Sequence, residues 1–334
     1  MNSTRNAALL ALDGGTTNTR ARLLIDGVFV ASARRGVGVR DNLGSAGVSP
    51  LAEAVRECII EVIGNRDLRL VRIVAAGMLS SEVGLTSVRH VVAPAGIAEL
   101  AAAAVEYRLP DFEGPPILIV PGVRTPAGLG TAGWLDADVM RGEEVETLGA
   151  AAALGLAGRP VAFLWPGSHT KLVEVDSEGR ILRSFTTLAG EITATLASHT
   201  IISKSLPSTL PEEPDLGAVE LGMRTAVEAG IGRAAFAVRL AELSGSLDAH
   251  GRASFWVGAV IGEDCARIAA HPIAKSGVPI WVGGRDPQRR LYADRLAALV
   301  ESPIALIEES LATTASAVGA GIVADVYDSS IKNR

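Results

Sequence analysis

The chain of 334 residues has a net charge of −6, with 48% hydrophobic and only 4% aromatic residues. That length predicts two domains with aliphatic cores, and the apolar fraction excludes a largely disordered chain. The acidic balance excludes a chain-wide nucleic-acid surface, two cysteines exclude a disulfide scaffold or a Cys-rich zinc site, and no apolar run reaches the roughly 18 residues of a membrane-crossing helix.

The opening apolar run Ala7–Leu12 is too short for a signal peptide. Ala8–Leu12, Arg20–Ile25 and Val28–Ser32 read as three antiparallel strands, the last two joined by an Asp26-Gly27 hairpin turn. Pro50 opens a helix to Ile63, with Leu51, Val55, Ile59 and Val62 on one face. Leu70–Ala75 is a strand, Ile97–Tyr107 a helix, Ile117–Val120 a strand, and Glu143–Leu156 an Ala-rich helix ending near Gly158. The order of elements then restarts. Val161–Trp165, Lys171–Val175 and Ile181–Thr187 are strands, followed by helices over Glu191–His199, Leu216–Leu243 (as one or two segments) and Ser254–Ala270. Pro279–Val282 and Pro303–Ile307 are strands, and Asp286–Val300 and Ser310–Val326 helices. Two mixed α/β domains are therefore expected, residues 1–158 and 159–334, with a ligand cleft between them.

The strongest local signal is Asp13-Gly14-Gly15-Thr16-Thr17-Asn18-Thr19-Arg20, the turn between the first two strands. Its glycines allow close backbone approach, and its successive N–H groups form an anion nest to which Thr16, Thr17 and Asn18 add donors. Asp13 beside a bound phosphate suits a Mg²⁺ held through water. The same residues would also serve a plain hairpin with a solvated Asp13.

This loop resembles the first phosphate loop of the sugar kinase/Hsp70/actin ATPase superfamily. The resemblance implies a two-domain ribonuclease H-like (actin-like ATPase) fold, each domain a mixed sheet flanked by helices, with ATP in the cleft. It also implies a second phosphate loop at Gly167, Ser168, His169, Thr170 and Lys171, and an adenosine loop at Gly283-Gly284. The segments Ala75–Ser81, Val139–Glu144, Pro166–Lys171, Gly190-Glu191 and His199–Ile202 resemble more closely the 2-dehydro-3-deoxygalactonokinase family, from Leu9 to about Ile322. The chain departs from the family pattern with Ala189 in place of Thr, and with Arg285 after Gly284 in place of Thr or Ser.

Phosphoryl transfer to an alcohol needs a carboxylate to take the hydroxyl proton. Glu143 and Glu144 open a helix, where the dipole favours their ionised form, and either could serve. The family resemblance implies a sugar acid as substrate, whose carboxylate suits the Arg141 fork or the N–H and hydroxyl groups of Gly77, Met78, Ser80 and Ser81. His169 and Lys171, two residues apart, are expected to share a face toward the ATP phosphates. His199 reads as a core histidine, and Gly128–Gly133, which matches G-x-G-x-x-G, as a surface loop and not a dinucleotide site.

The resemblance thus implies an ATP- and Mg²⁺-dependent cytoplasmic kinase for the terminal (6-) hydroxyl of 2-dehydro-3-deoxy-D-galactonate. The alternatives are a kinase for another sugar acid or keto sugar, and a catalytically silent sugar-acid sensor. Against the sensor, only about eight residues precede the first strand, too few for a helix-turn-helix. Neither nucleic-acid nor membrane partners are expected, and a homodimer stays open.

Overall fold

The computed structural model describes residues 7–43, 49–66 and 68–332. The segment before the first strand, residues 1–6, lies outside them. The N-terminal half opens with β1 (Ala7–Gly14), β2 (Thr19–Ile25) and β3 (Val28–Arg35), all antiparallel neighbours. Asp26 and Gly27 turn the second hairpin with φ of 50° and 79°, the twist that matches right-handed strands. Helix α1 (Pro50–Ile63) starts where Ser49 Oγ accepts the Ala52 N–H at 3.1 Å. It buries Leu51, Val55, Ile59 and Val62 against the sheet, with Leu10, Leu12, Leu23 and Ile73.

The chain continues through β4 (Arg69–Gly77), β5 (Val91–Val92), α2 (Ile97–Ala103), β6 (Val105–Tyr107), β7 (Ile117–Ile119), β8 (Val123–Thr125), β9 (Asp138–Met140) and α3 (Glu143–Ala153). A six-stranded sheet has the order β3-β2-β1-β4-β7-β6, and a small sheet the order β5-β8-β9. The helix expected to reach Tyr107 ends at Ala103, because Val105–Tyr107 pairs antiparallel with β7. The Gly128–Gly133 stretch is a loop, exposed from Gly128 to Ala132 and buried at Gly133, closed by the Gly128 N–H to the Gly133 carbonyl at 2.7 Å.

The second half runs β10 (Val161–Trp165), β11 (Thr170–Val175), β12 (Ile181–Thr187), α4 (Ala189–His199), α5 (Leu216–Ala229), α6 (Ile231–Ser244), α7 (Ala249–Ala270), β13 (Ile280–Val282), α8 (Gln288–Ala297), β14 (Ile304–Leu306) and α9 (Glu309–Lys332). Its sheet order, β12-β11-β10-β13-β14, repeats the scheme β3-β2-β1-β4-β7. Gly230, at φ 83°, separates α5 from α6. Asp248 Oδ1 accepts the Gly251 N–H at 2.7 Å and starts α7 five residues before the expected Ser254. His199 is exposed at the end of α4, so it is not the core histidine expected.

Two compact units result. Unit 1 takes the chain up to Arg159, Val175–Ser184 and the chain from Ser310 on; unit 2 takes Pro160–Glu174 and Phe185–Glu309. A single cut near 158 therefore does not divide the chain. The reason is the close crossing of α9 and α3: a Cβ at Gly149 would overlap the Ala315 carbonyl, and one at Gly319 the Val145 carbonyl. Arg72 adds an ion pair to Asp328 and lies over the Tyr327 ring.

Candidate active site

In unit 1, β1 and β4 run parallel with Gly14 beside Gly77. Gly77 has φ 74°, and a Cβ there would lie 2.7 Å from the Gly14 carbonyl and 3.0 Å from Asp13 Oδ1. Gly142, at φ 113°, brings the start of α3 to the same point, its Cβ position 3.3 Å from Gly77 Cα. The fold thus gathers Asp13 with the Arg141–Glu144 turn, although about 130 residues separate them in sequence. The loop after Asp13 closes with the Gly15 N–H on the Asn18 carbonyl at 2.8 Å. It rests on Val39 and Arg40, whose N–H groups reach the Gly15 and Thr16 carbonyls at 3.2 and 3.1 Å. Thr16 and Thr17 are exposed. Asn18 is used internally: its Oδ1 accepts from Arg34, and its Nδ2 donates to Thr17 Oγ1 at 2.8 Å.

The two glutamates at the start of α3 have different surroundings. Glu144 is fully buried and accepts the Gly142 N–H on both oxygens, at 2.9 and 2.7 Å. Burial, with Glu143 nearby, pushes its pKa up to about 8. Glu143 is half-buried, and its Oε2 accepts the Arg141 N–H at 3.2 Å. Glu146 is also half-buried, its pKa pushed up to about 8 by desolvation and the charges of Glu143 and Asp13, against the pull of Arg22. Sequence reasoning passed over Glu146; its signal was the three-residue spacing from Glu143, which stacks the two on one helix face.

Arg141 does not present the carboxylate clamp expected of it. Nη1 donates to the Ser80 carbonyl at 2.9 Å and to Ser80 Oγ at 2.6 Å, and Nη2 donates to the Val88 carbonyl at 3.0 Å. The loop leaving β4 needs these donors, and burial lowers the guanidinium pKa below its ordinary value. Ser80 and Ser81 are buried as well, their hydroxyls donating to the Gly77 and Met78 carbonyls at 2.9 and 2.7 Å. Met78 is half-buried beside them.

In unit 2 the loop between β10 and β11 exposes Gly167 and Ser168. Gly190 backs it so closely that a Cβ would overlap the Gly167 carbonyl, and the Glu191 N–H donates to the Ser168 carbonyl at 3.0 Å. His169 Nε2 lies 2.9 Å from Glu191 Oε1. Thr170 and Lys171 are turned inward, contrary to expectation. They begin β11, where every residue is buried; Thr170 Oγ1 meets the Tyr292 hydroxyl at 3.1 Å, and Lys171 Nζ donates to Thr186 Oγ1 at 2.7 Å. The glycine pair after β13 adjoins the same loop. The Gly283 N–H donates to the Leu164 carbonyl at 2.9 Å, a Cβ on Gly283 would run into the Trp165 ring, and one on Gly284 would sit 3.4 Å from the Pro166 carbonyl. Arg285 is exposed.

The repeated sheet order has counterparts among solved structures. The ethanolamine utilization protein EutJ of Carboxydothermus hydrogenoformans superposes with a TM-score of 0.50 at 15% identity, covering 96% of this chain and 92% of that one, a likeness of fold. A crystal structure from Sinorhizobium meliloti, solved under the name of a 2-dehydro-3-deoxygalactonokinase, reaches a TM-score of 0.72 at 25% identity over 95% of this chain and 98% of that one. A curated protein of Rhizobium meliloti (strain 1021) bearing the same enzyme name is 34% identical over 134 residues, and the match spans 40% of each chain. The family model described as 2-keto-3-deoxy-galactonokinase, the same sugar acid under its older name, matches residues 13–322. The match begins at Asp13, at the end of β1, and runs through both units, and the chain belongs to that family.

Proposed function

We propose that the chain transfers the γ-phosphoryl group of ATP to the terminal (6-) hydroxyl of 2-dehydro-3-deoxy-D-galactonate. The observation that carries this reading is Glu143, a half-buried carboxylate at the start of α3, on the turn that meets Asp13 and Gly77. Glu143 accepts the hydroxyl proton as the sugar oxygen bonds to the γ-phosphorus and ADP departs. Glu144 is the poorer base: it keeps its proton to about pH 8 and spends both oxygens on the Gly142 N–H. In each unit the loop N–H groups suit phosphate oxygens, those of Gly14–Thr17 in unit 1 and those of Gly167–His169 in unit 2. Asp13 suits a Mg²⁺ held through water, since one carboxylate with substrate phosphates is the usual set for that ion. Bound Mg²⁺ would neutralise charge developing on the transferred group. A cytoplasmic location and ATP as donor belong to the same reading; among the described residues no helix is long and apolar enough to cross a membrane.

ADP release measured over a panel of sugar acids and neutral keto sugars tests it. The expected result is turnover highest with 2-dehydro-3-deoxy-D-galactonate. Equal or faster turnover of a neutral keto sugar would replace the substrate, and binding without ADP release would leave a sensor.

A further inference from the structure

Three buried hydroxyl and carboxyl groups lie directly beneath the nucleotide loops of unit 2, and the proposed chemistry does not use them. Thr170, the residue after His169, is 1% exposed; Tyr292 on α8 is 3% exposed; Asp264 on α7 is 5% exposed. The Tyr292 hydroxyl donates to Asp264 Oδ2 at 2.6 Å. A phenol has one proton, so the 3.1 Å contact to Thr170 Oγ1 is made by the Thr170 hydroxyl donating to the phenol oxygen. The Thr170 hydroxyl also acts on Asp264 itself, so the three groups form one cluster that joins the end of the phosphate loop to a buried carboxylate. Burial keeps the phenol well above its ordinary pKa, so it remains a donor at neutral pH.

Tyr292 also stands one turn inside the helix that follows Gly283-Gly284. One phenol oxygen therefore ties the end of the first nucleotide loop of this unit to the helix behind the second. We infer that Tyr292, anchored by Asp264, is a positioning residue for ATP that sets the second phosphate loop and the adenosine loop against each other. The inference rests on the kinase reading above and concerns only the nucleotide side of that site. It also gives Thr170 a role: its hydroxyl fixes the loop from behind, and the phosphate is left to the N–H groups of Gly167–His169.

Steady-state kinetics and ATP calorimetry test it with Tyr292→Phe, which keeps the ring, Thr170→Val, Thr170→Ser and the Tyr292→Phe/Thr170→Val double variant. A lost buried hydrogen bond predicts a rise of about fivefold or more in KM and Kd for ATP, with KM for the sugar acid unchanged. The double variant should cost less than the two singles together, because both break one hydrogen-bonded cluster, and Thr170→Ser should behave as wild type. A fall in thermal stability with unchanged ATP affinity overturns the inference, as do equal rises in both KM values. If Thr170→Val does not fold, amide exchange at Gly167–Thr170 in Tyr292→Phe must be faster than in wild type, or the idea fails. A wild type that binds ATP but turns over no sugar acid defeats the kinase reading alone, and the calorimetry still decides this one. A wild type that binds no ATP overturns both.

Discussion

Glu143 and Glu144 are adjacent in sequence, yet one is half-buried on the turn beside Asp13 and the other fully buried. Glu143→Gln is expected to keep ATP affinity and lose roughly a hundred- to ten-thousandfold in kcat, read by calorimetry and ADP release. Glu144→Gln should keep most turnover and change the pH dependence of stability. The folded state holds the Glu144 proton to about 8, whereas the unfolded chain releases it near 4.5. Between those values the native state binds more protons, so stability falls as pH rises, and the glutamine variant should show a shallower fall in Tm from pH 5 to 8. For Arg141 the geometry reverses the expectation from sequence. Arg141→Ala should cost about 1–3 kcal/mol in urea unfolding, because it removes the side-chain donor to the Val88 carbonyl and one of the two donors to the Ser80 carbonyl, which keeps the Val88 N–H. The ratio of kcat/KM for the sugar acid over its neutral counterpart should stay unchanged; a collapse of that ratio would return the substrate carboxylate to Arg141.

At the scale of elements, what was legible depended on how locally it is encoded. The Asp26-Gly27 hairpin and the Ser49-Pro50 start of α1 follow from adjacent residues, and they stand where expected. The glycine loops at Gly14, Gly167 and Gly283 also fall between the elements expected. Val105–Tyr107 was misread because its strand identity comes from pairing with β7, and the short β5-β8-β9 sheet has too few residues to show a period. Side-chain direction was the least legible. Thr170, Lys171 and Arg141 carry the residue types of a ligand site, but partners distant in sequence turn them inward. The α3–α9 crossing gives a prediction at this scale. Gly149→Ala should destabilise by about 3 kcal/mol in urea unfolding, since the helices must separate to admit the methyl group. An effect below about 0.5 kcal/mol, the range of a neutral surface change, would mean that the crossing is loose.

At the scale of the whole chain, the sheet scheme is written twice in sequence order, while the last helix returns to the first unit. A chain ended after Glu309 should lose amide protection across β1, β4 and α3 while β10, β13 and α7 keep theirs; the reverse pattern would break the division into units. The same return has a meaning for biosynthesis. A ribosome delivers β1 to α3 well before it makes the helix that completes their packing. All of Pro160–Glu309 emerges in between, so the half translated second holds its full complement of residues before the half translated first. On stalled ribosomes, nascent chains exposing residues up to about 309 should therefore show protease-resistant Phe185–Glu309 while the earlier-made strands of unit 1 are still cut.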